Sequence, residues 1–207
     1  MVTRLLLALS ILLVTAFASA EPPPSHVARV RLVLERLPKT PEDRVSESRP
    51  LELDQLAQAI ARVSVKAPRS PVEWSSLHAA VGSHETNFAG RLLRGECRLE
   101  KRECDAARRK DGSWFFRAKG WGQVHENKLN ESLWAKADTD IDAQTELVDG
   151  QLRRAYWTCA RSGVPWVIGT LNAYKGVRCN ADWPGLHKRV ATFDAAVRVA
   201  VPAGGAS

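Results

Sequence analysis

The sequence predicts a mainly α (α+β) domain with a small irregular or β lobe and two disulfides. Three observations predict it. Apolar residues recur at helical spacing through most of the chain. One charge-rich stretch, residues 90–119, breaks that rhythm and carries the turn signal Asp111-Gly112. Four cysteines lie downstream of an apolar N-terminal segment.

Residues 21–25 hold three prolines and read as an extended lead. Val27, Val30, Leu34 and Leu37 come next at helical spacing until Pro38 stops the pattern. Residues 39–50 are polar and read as a linker. Leu53, Leu56, Ile60 and Val63 mark a second helix. A third starts at Ser70, where Ser70 can cap, Pro71 suits the first helical position and Glu73 completes a capping box. After the irregular lobe a long helix runs from near Asp142 to Arg161, with Val148, Leu152, Ala155 and Cys159 on one face and Gly163 beyond its end. A shorter helix covers residues 165–174, and Leu186, Val190, Phe193 and Val197 define the last.

Arg4, the apolar run 5–14 and Ala18-Ser19-Ala20 have the charge, core and cleavage pattern of a signal peptide over residues 1–20. That run is too short to span a bilayer, and no second long apolar segment is present. The expectation is a periplasmic or secreted protein with no integral membrane segment. Its parts would be a lead with a short helix over 21–50, one main domain over 51–201 and a flexible tail over 202–207. The formal charge of +7 would draw it to anionic cell-wall polymers or to nucleic acid. Lysine and arginine are scattered, apart from Arg108-Arg109-Lys110 and Lys101-Arg102, so no nucleic-acid partner is expected.

Four cysteines in an exported chain imply two disulfides, with three possible pairings. The economical one joins Cys97 to Cys104 and Cys159 to Cys179. Zinc is the competing use, but there is no C-x-x-C and no histidine at ligand spacing. His84-Glu85 and His125-Glu126 open like a zinc-protease H-E-x-x-H, yet Phe88 and Leu129 stand where the second histidine belongs. No G-x-S-x-G and no phosphate-binding glycine loop is present. No metal and no cofactor is expected.

Glu85 is the residue that carries chemistry. Trp74, Leu77, Val81 and Phe88 recur at helical spacing, and Glu85 falls within that stripe. An unpaired carboxylate in apolar surroundings costs several kcal/mol unless it stays protonated. Such a position suits a proton donor; the alternative is a helix that ends by Gly82 and leaves Glu85 in solvent.

Downstream stand two more segments, GWGQV at residues 120–124 and LNAYKG at 171–176. Together with ETNF at 85–88, this order resembles the soluble lytic transglycosylase and goose-type lysozyme group. That family carries E-S-x-F, a G-L-M-Q-like turn and an A-Y-N-x-G-like segment, and the likeness covers about residues 51–201. Thr86 stands for the usual serine, Lys175 replaces the asparagine, and the spacing from Tyr174 to Gly176 is one residue short.

The resemblance implies a lysozyme-like fold and cleavage of peptidoglycan glycan strands. Glu85 would protonate the leaving oxygen, then take a proton from the C6 hydroxyl of the muramic acid, giving a 1,6-anhydro end. Gln123 offers a donor and an acceptor to an N-acetyl amide or a hydroxyl, and Gly120 would let backbone approach the sugar. Tyr174 and Trp121 would line the groove, the latter alone among seven tryptophans lying in a motif. Asn172 and Thr86 are weaker contacts, and Thr86 could instead orient Glu85. A hydrolase would need a second carboxylate, for which Glu96, Asp105 and Asp111 lie in the lobe. A catalytically silent peptidoglycan-binding protein is the rival from another class.

Overall fold

The structure is a computed structural model that describes residues 21–39, 41–98, 103–125 and 130–201. The chain runs α1 (Pro24–Arg36), α2 (Arg49–Ser64), α3 (Pro71–Glu85) and α4 (Gly90–Leu93), then a 3-10 turn at Glu103–Asp105. Four short strands come next: β1 (Ala106–Arg108), β2 (Trp114–Phe116), β3 (Ala118–Lys119) and β4 (Val124–His125). The remainder is α5 (Glu131–Lys136), α6 (Ile141–Cys159), α7 (Trp166–Tyr174) and α8 (Leu186–Ala200). The fold is thus mainly helical, with two small antiparallel sheets. The expected signal peptide, the tail at 202–207 and the Lys101-Arg102 pair lie outside the described residues.

α3 is the central helix. Ser70 accepts the backbone N–H of Glu73 at 3.3 Å, as the capping box predicts, and Pro71 opens the first turn. Sequence periodicity predicts one apolar stripe, yet every residue from 74 to 83 is buried. The reason is size: Ser75, Ser76, Ala79, Ala80, Gly82 and Ser83 let neighbours close on all sides. α1, α2 and α8 pack around it. Val30 and Leu34 of α1 join the same core as Leu56, Leu77 and Leu152. α1 is therefore part of the same core as α2, α3 and α6. α1 already starts at Pro24, inside the stretch expected to be extended. Asp43, in the expected linker, is buried and accepts the Gly90 N–H at 2.9 Å.

A buried polar cluster ties α3 to α6. Asp149 accepts the Trp74 indole N–H at 2.7 Å, faces His78 Nε2 at 3.3 Å and receives Arg153 Nε at 2.5 Å. The same guanidinium donates to the carbonyls of Lys66 and Val63, closing the end of α2. Burial opposes the charge on Asp149, but the hydrogen bond and charge of His78, with the bonds from Arg153 and Trp74, hold its carboxyl below the usual range.

The lobe contains the hairpin that the turn signal predicts. β1 and β2 pair antiparallel, Ala106 opposite Phe116 and Arg108 opposite Trp114. Asp111 closes the turn by accepting from the N–H and hydroxyl of Ser113 at 2.9 and 2.7 Å. Both disulfides adopt the economical pairing, Cys97 with Cys104 and Cys159 with Cys179.

Candidate functional site

Glu85 is the last residue of α3. The helix does not end at Gly82, and the carboxylate emerges where the buried helix reaches the surface, its side chain 21% exposed. The surroundings differ from the sequence expectation. Arg189 Nη2, on the first turn of α8, lies 2.7 Å from Glu85 Oε1, and its own side chain is only 8% exposed. An opposite charge, not an unbroken apolar wall, meets the acid.

Beyond Glu85 the chain turns sharply. Asn87 and Phe88 take left-handed backbone angles, φ 51° and 49°, which cost an L-residue on the order of 1–3 kcal/mol each. The turn throws the Phe88 ring back onto α3 at Gly82. A Cβ there would overlap the ring, so glycine is what admits it. Phe88 also meets the Trp121 ring at 4.9 Å. Three more left-handed non-glycine residues, Cys104, Asp105 and Gln123, flank the same region. Strain of this kind gathers where surrounding structure fixes a functional geometry.

The three motif segments converge here although they lie far apart in sequence. Thr86 Oγ1 donates to the Trp121 carbonyl at 2.7 Å, and Tyr174 OH donates to the Gly122 carbonyl at 2.8 Å. The turn at 120–123 is thereby held between the end of α3 and the end of α7. Tyr174 lies close enough to Glu85 to feel its charge. Burial first, and that negative charge second, push the phenol well above its ordinary range, with Arg189 opposing. His84, bonded to Thr192 at 2.9 Å, is held below the usual histidine value by burial and then by Arg189.

Each expected site residue has a definite place. Gln123 is half-buried and donates Nε2 to the Gly120 carbonyl at 2.9 Å, while no described residue donates to its Oε1. Gly120 sits at φ 67° with no room for a side chain beside Gln144. The Thr86 hydroxyl is taken by the Trp121 carbonyl, so Thr86 ties the end of α3 to the 120–123 turn.

Two expectations are corrected. Trp121 is 0% exposed, packed between Phe88 and His78, so its ring offers no face to a sugar. Asn172 is equally enclosed. Its Nδ2 donates to the carbonyls of Cys179 and Ala181, both at 2.8 Å, and its Oδ1 accepts the Trp183 indole N–H at 2.7 Å. Asn172 braces the loop into α8, and its amide is spent on that task.

The candidate second carboxylates each have a neighbour in or beside the lobe. Glu96 pairs with Arg94 at 2.8 Å, Asp105 faces His125 at 3.8 Å, and Asp111 closes its own turn.

Two residues of the site escape sequence reasoning. Buried Gln144 accepts the Trp121 N–H at 3.3 Å and donates to the Leu93 carbonyl at 2.9 Å, locking the turn to α4. Arg189 is the other. It falls three after Leu186 and four before Phe193, so it is a charge on an apolar stripe, the same signal that singles out Glu85.

Comparison with protein-family models, curated proteins and solved structures yields no match for this chain.

Proposed function

We propose that the protein is an exported enzyme that cleaves the β-1,4 bond between MurNAc and GlcNAc in peptidoglycan, with Glu85 as the proton-transferring group. One observation carries the reading: a partly exposed glutamate at a helix end, gathered with the 120–123 turn and Tyr174 by two side-chain hydrogen bonds. The motif order that resembles lytic transglycosylases is thus matched by proximity in space.

In the lytic route Glu85 gives its proton to the leaving glycosidic oxygen as positive charge develops on the MurNAc ring. The resulting carboxylate then takes the proton of the C6 hydroxyl, whose oxygen closes onto C1. No water is consumed, and the product carries a 1,6-anhydro ring. The lytic route is preferred to hydrolysis because the motif order resembles lytic transglycosylases, whose chemistry proceeds with one carboxylate.

The Arg189 ion pair supports a second reading, a peptidoglycan-binding protein whose acid is neutralised. Mass spectrometry of wall fragments released by wild-type and Glu85→Gln protein separates the possibilities. The enzyme releases fragments one water lighter than hydrolysis products, and Glu85→Gln loses on the order of a hundredfold or more in rate. Equal rates would remove Glu85 from the chemistry. Wall binding by the wild type without any released fragment would establish the silent binder.

A further inference from the structure

The β1–β2 hairpin with its flanking residues 105 and 117 carries four cations, Arg108, Arg109, Lys110 and Arg117, against two acids: Asp111, whose carboxylate is taken by Ser113, and Asp105, which faces His125. Among the described residues none of the four forms an ion pair with a carboxylate. They are interleaved with aromatic rings instead. Arg109 and Arg117 lie over the Phe115 ring at 4.9 and 5.8 Å, and Arg108 lies over Trp114 at 5.7 Å. Trp114 is 45% exposed.

The register sorts these groups by face. Side chains alternate along a strand, so Arg108, Trp114 and Phe116 share one face and Phe115 takes the other. Phe116 packs toward the body near Cys104. The hairpin is therefore seated through Phe116, and it presents Phe115 between two guanidiniums with Trp114 and Arg108 toward the tip. The Arg117 N–H donates to the Cys104 carbonyl at 3.1 Å, and Gln123 Nε2 lies 3.7 Å from Cys104 Sγ, so the base of the hairpin adjoins the 120–123 turn.

We infer that the hairpin is a binding surface for the carboxylate-bearing peptide stems of the glycan strand. Flat rings and guanidinium forks recognise different parts of such a ligand: rings take apolar and sugar faces, while the forks take carboxylates in bidentate fashion. Charge complementarity selects the occupant, because three cations on the hairpin and Arg117 at its base favour a carboxylate-rich partner over a neutral or basic one. The inference rests on a peptidoglycan strand being the ligand of the neighbouring site.

The test is co-sedimentation of the full-length protein with insoluble wall sacculi, native or with stem carboxylates converted to amides. The proteins are the wild type, Arg108→Gln/Arg109→Gln/Arg117→Gln, and the single charge reversal Arg109→Glu, with thermal midpoints as the check on folding. The expected result is at least tenfold tighter binding of wild type to native than to amidated sacculi. In the triple variant that difference vanishes, and Arg109→Glu loses much of it at an unchanged midpoint. Unchanged binding by both variants, or no discrimination by the wild type, overturns the inference. Equal binding to duplex DNA at the same salt would overturn it too, in favour of a nucleic-acid surface. Released fragments are scored in the same samples: carboxylate-selective binding without cleavage removes the enzymatic reading alone, and cleavage with indifferent hairpin variants removes this inference alone.

Discussion

Arg189 reaches across from α8 to place its guanidinium 2.7 Å from the carboxylate of Glu85, and it does so from a nearly buried position over the ring of Trp183 at 5.3 Å. The acid at the end of the central helix is thus held from a second helix whose approach is braced by Asn172.

Arg189→Met leaves the largely buried Glu85 carboxylate without its cation. Removing one partner of a buried pair costs about 3–5 kcal/mol, so the variant is expected to melt below wild type and Glu85→Gln/Arg189→Met to recover part of the loss. Thermal denaturation of the three proteins checks this, and an unshifted midpoint in Arg189→Met would show that the contact adds nothing to stability.

Gly82→Ala should lower stability through overlap with the Phe88 ring. Overpacking of this kind costs about 1–3 kcal/mol, roughly 2–12 °C in a domain of this size. Thermal denaturation monitored by circular dichroism measures it. An unshifted midpoint would mean that Phe88 is not seated against α3.

Acid should loosen the contact between α3 and α6 through Asp149. Its carboxyl lies below the ordinary value in the folded protein. The stability it contributes is therefore full above the unfolded value, about 3.9, and is lost as pH falls through the folded one. Denaturant midpoints should decline on acidification below about pH 4, and less steeply in Asp149→Asn. That variant should also cost about 1–3 kcal/mol at neutral pH, because buried donors lose their charged acceptor.

The two disulfides should differ in worth. Cys159 and Cys179 are 20 residues apart, Cys97 and Cys104 only 7. Loop-closure entropy makes the longer link more stabilising by about 1 kcal/mol. Paired serine variants, compared by urea denaturation, should rank in that order.

The helices are legible in the sequence because capping and periodicity are local signals. Ser70, Pro71 and Glu73 mark the start of α3 unaided, and Asp111-Gly112 marks the hairpin. The site is legible in part: the segments that carry Glu85, Gln123 and Tyr174 meet, whereas Trp121 and Asn172 serve the core. Their burial depends on what packs against them, and a motif position carries no record of that. Periodicity makes α3 one-sided because small serines and alanines look neutral to it, although they are what allows a helix to be enclosed. Arg189 is hidden for a different reason. Its signal is present on the α8 stripe, but pairing it with Glu85 requires knowing that α8 returns to the end of α3.

The notch at Gly82 gives the site a stiff side and a yielding side. Phe88 plugs that notch and leans on Trp121, which Gln144 and Thr86 grip in turn. That stack fixes the backbone around Glu85. Room for a bound chain is left to rotation of the Glu85 and Arg189 side chains at their contact.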